Sequence, residues 1–513
     1  MISNAKEFIF MRKSGVLMHI TSLPGSCGVG TMGKHAYAFV DFLQAAGQSC
    51  WQLLPLTPTG YGNSPYQSSS TFAGNPYLID LELLVEEGLL TQQELNSVRW
   101  GSRDDRVDFG ALYENKMNIL RRAFTRHGET EDFAKFRAGN DWWLPNFAAY
   151  MVLKDHFEGK PWYEWPEELR QRTVSVIDAA VKYAGYEGYQ FHCFVQYLFF
   201  KQWDTLRAYA QEKGISIIGD VPIYVPYDSV DVWADPELFQ LDSSLTPTDV
   251  AGVPPDAFTA DGQLWGNPLY RWEEHKKTGF NWWLRRMAAA GKLYDIVRFD
   301  HFRGLESYWA VPYGDATARN GKWVKGPGTE LIHAIQKGLP GLQMIAEDLG
   351  YLTEEVITMR NESGFPGMKI LEFAFDSREP SDYLPHTYTA NTVCYTGTHD
   401  NMTMRQWFDT CTPEALTYAK DYMNLREEEG LVWGAIRTAM SCVSDLCIIP
   451  MQDYLNLGEE ARMNFPGTMS DFNWTWRAKD GIITDSLAEK IRNLTALYGR
   501  LGDQTKTTAS TAV

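Results

Sequence analysis

Residues 296–304 read IVRFDHFRG. The apolar run Ile296–Phe299 is interrupted only by Arg298, gives way to Asp300, and turns through His301 to Gly304. Runs that are apolar throughout, rather than alternating, suit strands covered on both faces. The same design recurs at Val16–Leu23, Cys50–Leu56, Ile215–Val221, Met344–Ala346, Lys369–Phe375, Val393–Thr396 and Cys447–Met451. Segments of helical period lie between most of them, such as Tyr37–Ala46 and Leu331–Lys337. Thr412-Pro413-Glu414 reads as an N-cap with Pro at the first helical position. Eight strand-and-helix units predict an α/β fold, a (β/α)8 barrel.

Two connections are longer than a plain barrel needs. The first, about 81–212, carries helical signals, among them a capping box at Thr91-x-x-Glu94. The second, about 226–293, contains DVAGVPPDAFTADGQLWGNPLY and reads as a loop-rich lid. Both are expected to be insertions over the catalytic face of one barrel domain spanning the 513 residues.

Composition narrows the chemistry. With 47 Lys and Arg against 65 Asp and Glu, the formal charge is -18, which argues against nucleic acid or an anionic membrane surface as partner. Aromatic residues make up 14% of the chain. Most of these rings belong to core packing, but flat faces also suit sugar rings. The seven cysteines are scattered, with no C-x-x-C pair, so neither a disulfide framework nor a zinc site is expected, and a reducing, cytoplasmic setting fits. The first residues lack the apolar stretch of a signal peptide, and no run approaches the ~20 residues that cross a bilayer.

Barrel active sites form where the strands end. Four strand ends present an acid: Asp220 in IIGDVPIYV, Asp300, Glu347 in MIAEDLG and Asp400 in YTGTHDN. One such Asp is often only a helix cap. Four in order point to chemistry that needs several carboxylates, and glycosidic cleavage needs two, one to protonate the leaving oxygen and one to attack or to activate water. Arg298 shares a strand face with Asp300 and is expected to keep it ionised. Glu347 needs burial to hold its proton. A structural ion pair is the plain alternative for Arg298 and Asp300.

At these segments the sequence resembles the 4-α-glucanotransferases (amylomaltases, disproportionating enzymes), relatives of the α-amylase group. The likeness runs from SGVLMHITSLPG through NSPYQ…FAGNPYLIDL, VRFDHFRG, AEDLG and THDN to EARMNFPGT and NWTWR. It implies Asp300 as nucleophile, Glu347 as general acid/base and Asp400 as a third carboxylate gripping sugar hydroxyls. His399, Arg298 and Asp220 would bind around them. Asp220 is followed by VPIYV where amylases usually carry Asn-His, which implies no obligatory metal; no cofactor is implied either. The expected partners are an α-1,4-glucan donor and a glucose or maltooligosaccharide acceptor. The loop around Gly252–Pro255 is the candidate for excluding water. Tyr61, Tyr66, Phe258 and Trp265 are candidate stacking surfaces, with Asn267 as a further substrate contact, while Asn473–Trp476 reads as structural. Two other readings stay open: a plain α-1,4-glucan hydrolase, and a non-catalytic glucan-binding barrel.

Overall fold

Eight strands of three to six residues hydrogen-bond in parallel and close into a barrel in the computed structural model, which describes residues 12–60, 62–173, 175–255, 259–350, 352–375 and 381–502. In chain order the strands are β1 (Lys13–Leu17), β2 (Cys50–Gln52), β3 (Ser216–Val221), β4 (Asp249–Val253), β5 (Gln263–Pro268), β6 (Ile296–Phe299), β7 (Ser307–Pro312), β8 (Lys322–Lys325), β9 (Gln343–Ala346), β10 (Gly367–Ile370), β11 (Thr392–Tyr395) and β12 (Leu446–Pro450). The barrel order is β1-β12-β11-β10-β9-β6-β3-β2, and β5-β4-β7-β8 form a separate antiparallel sheet.

All eight expected barrel strands are present, but three stop well short of their apolar runs. Among these, Cys50–Leu56 pairs only as far as Gln52. The first ends at Leu17, and Ile20–Ser22 forms a buried 3-10 turn; the sixth ends at Ile370, and Leu371–Phe375 is again 3-10. These residues are apolar because the segments leaving the barrel are covered, not because they pair. Thr412 caps the helix Pro413–Met423, and Thr91 and Glu94 form the expected capping box.

Seven helices occupy 81–212, the last of them (Val176–Glu212) broken at Gly185, where φ is 75°. The segment 226–293 is far more ordered than a loop-rich lid. It holds β4, β5 and helices including Asn281–Leu293, which packs against β3 and β6 as barrel cladding. Gly252 and Val253, expected in a loop, lie in β4. Close packing at this seam needs a glycine: a Cβ on Gly219 would stand 2.1 Å from the Tyr294 ring.

The interior end of the barrel is polar where the acids emerge. Gln52, Asp220 and Arg298 are buried there, and Tyr395 donates to Gln52 Oε1 at 2.9 Å across the barrel. Among the described residues no helix is long and apolar enough to cross a membrane, and no cluster of three His, Cys, Asp or Glu side chains is placed to hold a metal ion.

Candidate active site

The register of β3 against β6 sets Asp220 opposite Arg298. Arg298 Nη1 lies 2.6 Å from Asp220 Oδ2 and 2.9 Å from Asp300 Oδ1, so one guanidinium nitrogen serves both acids. Arg298 and Asp220 are buried, whereas the Asp300 side chain keeps 26% of its surface open to the cleft. Tyr66 donates its hydroxyl to Asp220 Oδ2 at 2.8 Å. The Asp300 N–H still bonds Val221 O at 3.0 Å, which fixes its backbone as a continuation of the strand.

Glu347 follows β9, one strand along, and two main-chain N–H groups hold its carboxylate. The N–H of His301 donates to Oε2 at 2.7 Å and that of Leu349 to Oε1 at 2.9 Å. His301 reaches this position in the left-handed region (φ 50°, ψ 48°), a conformation that costs a non-glycine residue about 1–2 kcal/mol. That strain turns its N–H toward Glu347 and presents its ring to Trp265, edge to face at 4.9 Å. Burial holds the His301 ring neutral, with its pKa lowered to about 3.

Asp400 arrives from the end of β11. Asn464 Nδ2 donates to its Oδ1 at 2.7 Å, His399 Nε2 stands 3.3 Å from its Oδ2, and Arg462 donates to its backbone oxygen at 3.0 Å. Tyr66 stacks on His399 with centroids 5.1 Å apart, and Trp474 leans on both rings at 5.8 Å. Tyr66 thus joins the Asp220 and Asp400 sides of the site.

The three acids at the cleft are shifted by different surroundings. Burial pushes the Asp300 carboxyl up to about 6; Arg298 pulls against this, and the charges of Glu347 and Asp400 reinforce it. Arg298 favours the ionised Asp300, but that guanidinium is shared with Asp220, whose own carboxyl is also raised by burial. Glu347 is raised by burial as expected, opposed by Arg298 and by its two main-chain donors. For Asp400 burial acts upward, but His399, the Asn464 amide and Arg298 outweigh it and hold the group well below the usual carboxylate range.

Of the other expected contacts, Asn267 is buried at the end of β5 and Trp265 lines the approach beside Tyr224. Tyr61 and Phe258 lie outside the described residues. Pro254 and Pro255 follow β4 directly. Four residues given no site role in the sequence reading belong here: His301, Arg462, Asn464 and Trp474. The signal for Arg462, Asn464 and Trp474 was the family-like EARMNFPGT and NWTWR segments, which spacing alone ties to no strand end, and that for His301 was VRFDHFRG. Asn473 is structural as expected, accepting from Phe465 N–H and donating to Thr468 O.

Three strand-end carboxylates grouped around an arginine on a parallel barrel define a class of enzymes acting on glycosidic bonds. Residues 18–484 match the family model described as 4-alpha-glucanotransferase, and the chain belongs to that family, whose members are hexosyl-transferring enzymes. It is 48% identical over 489 residues to the 4-alpha-glucanotransferase of Clostridium butyricum, covering 94% of this chain and all of that one. It is 46% identical to that of Thermus thermophilus, covering 96% of this chain and 99% of the other. The amylomaltase from Streptococcus agalactiae in complex with acarbose superposes with a TM-score of 0.92 at 42% identity, covering 96% of this chain and 100% of that one.

Proposed function

We propose that this chain is a retaining 4-α-glucanotransferase, moving a segment of α-1,4-glucan from a donor chain to the 4-hydroxyl of a glucose or maltooligosaccharide acceptor. The observation that carries the reading is the single guanidinium nitrogen of Arg298 between Asp220 and Asp300, one strand from a half-buried Glu347. Asp300 attacks C1 of the bound glucan. The C1–O4 bond breaks as the aspartyl ester forms, and the Glu347 proton passes to the departing O4. Glu347, now a carboxylate, takes the proton of the acceptor 4-hydroxyl, whose oxygen displaces Asp300 and restores both groups.

Asp400 and His399 hold hydroxyls of the sugar at the reacting carbon, assisted by Asp220 and Arg298. Tyr66 and Trp265 supply ring faces, with Tyr61, Phe258 and Asn267 along the acceptor path. Residues 81–212 and the sheet built on β4 and β5 are insertions around one catalytic barrel. No cofactor or metal enters these steps, and the unpaired cysteines fit a cytoplasmic setting. Similarity to the transferases supports transfer over hydrolysis. The test is maltotriose alone, with products resolved by size. Glucose with a ladder of longer maltooligosaccharides supports transfer; glucose and maltose with nothing longer means that water takes the glucan, and the hydrolase reading replaces it.

A further inference from the structure

Behind the loop that carries His399 and Asp400 lie two more buried acids, Glu372 and Asp453. That loop leaves β11 at Thr396 and enters the helix Met404–Thr410. Its two neighbours in the barrel each send an acid to it: Glu372 follows β10, and Asp453 follows β12. At the start of the loop, Glu372 N–H donates to Thr396 O at 3.1 Å, and Thr396 Oγ1 donates to Asp453 Oδ2 at 2.6 Å. At the far end, Met404 N–H donates to Asp453 Oδ1 at 2.8 Å, and the Met402 N–H lies close enough to the Glu372 carboxyl to act on its charge. The fit is close, since a Cβ on Gly397 would stand 3.3 Å from Glu372 Oε2. Arg462, whose Nη2 bonds the Asp400 carbonyl, is acted on by the charges of both Glu372 and Asp400.

We propose that Glu372 and Asp453 are positioning residues for glucan transfer: gripping the 396–404 main chain from both sides, they hold Asp400 and His399 at the height the sugar hydroxyls require. The inference rests on the transferase reading above. Buried main-chain N–H groups need acceptors, and at Met404 the Asp453 carboxylate supplies one. Two charged carboxyls so close would repel. Burial and the Asp453 charge, opposed by Arg462 and the Met402 N–H, push Glu372 up to about 8, so it carries a proton near neutrality and the clamp stays intact. Glutamine is then its nearest mimic, keeping a carbonyl oxygen and the same volume against the loop without a titrating group.

The test compares Glu372→Ala and Glu372→Gln at pH 7, each also in an Asp400→Asn background, with an activated donor (α-maltosyl fluoride) that leaves a measurable rate. Glu372→Ala is expected to lower kcat about tenfold or more while KM moves less than about threefold. Glu372→Gln should return to within about threefold of the parent, and Glu372→Ala should add less than about twofold once Asp400 is disabled. A parental kcat in Glu372→Ala, glutamine as damaging as alanine, or losses that multiply in the double variant would each overturn the proposal. Should Glu372→Ala not fold, Thr396→Val removes the Asp453 contact from the opposite side; a kcat loss of about tenfold supports the clamp and an unchanged rate defeats it. A parent chain that makes nothing longer than maltotriose would instead defeat the transferase reading, so the two failures are distinct.

Discussion

The main-chain N–H of His301 donates to Glu347 Oε2 at 2.7 Å, and His301 is the residue next to Asp300. One left-handed turn therefore sets Glu347, the proposed acid/base, against Asp300, the proposed nucleophile, through the backbone. Preorganisation of this kind is what a double displacement requires, because the two carboxyls must act on the same bond in one geometry.

Removing either partner should separate their roles. Glu347→Gln is expected to lower kcat on maltotriose by about 10²–10⁴. It should lose much less on α-maltosyl fluoride, whose leaving fluoride needs no proton. Asp300→Asn should be inactive on both donors. Equal losses of Glu347→Gln on both donors would contradict the assignment.

The raised Asp300 carboxyl predicts an acidic limb. Attack requires the carboxylate, burial has pushed its pKa to about 6, and the attacking form is lost as pH falls through that value. Initial rates of kcat/KM should therefore drop about tenfold per pH unit below roughly 5.5. A flat profile down to pH 4 would mean that Arg298 dominates after all.

Arg298→Lys keeps a positive charge, but the shorter side chain does not carry its nitrogen to the place where Nη1 meets both Asp220 and Asp300. The expected outcome is a kcat loss of about tenfold or more with an acidic limb moved to higher pH. Parental rates in the lysine variant would show that a point charge is enough.

Gly219→Ala tests the packing under the site. The new Cβ meets the Tyr294 ring, and that ring cannot retreat freely because its hydroxyl accepts from Leu56 N–H at 3.2 Å. Destabilisation of about 1–3 kcal/mol is expected, read as a lowered midpoint in urea with the slope unchanged.

Much of this architecture was legible in the sequence because a parallel barrel writes its strands as short, wholly apolar runs followed by acids. Asp220, Asp300, Glu347 and Asp400 could be placed at strand ends for that reason. Strand ends blurred at Leu17 and Ile370, where the exit segments are themselves covered, so that apolar residues continue past the last ladder bond. The antiparallel sheet was missed because the Pro, Gly and Asp of 249–268 read as loop, and because β4 pairs with β7 across β6, a pairing with no local signature. Arg462 and Asn464 were missed for a similar reason. They reach Asp400 from a loop more than sixty positions along the chain, and nothing in their spacing announces the contact.

The most direct measurement is to trap the glycosyl-enzyme. The protein would be treated with a 5-fluoro-α-glucosyl fluoride, which forms such esters faster than they turn over, and its peptides then weighed. The expected result is one added fluoroglucosyl group on the peptide containing Asp300, discharged on addition of maltose. An adduct on Glu347 or Asp400, or normal turnover of the reagent with inverted stereochemistry and no adduct, would contradict a double displacement through Asp300.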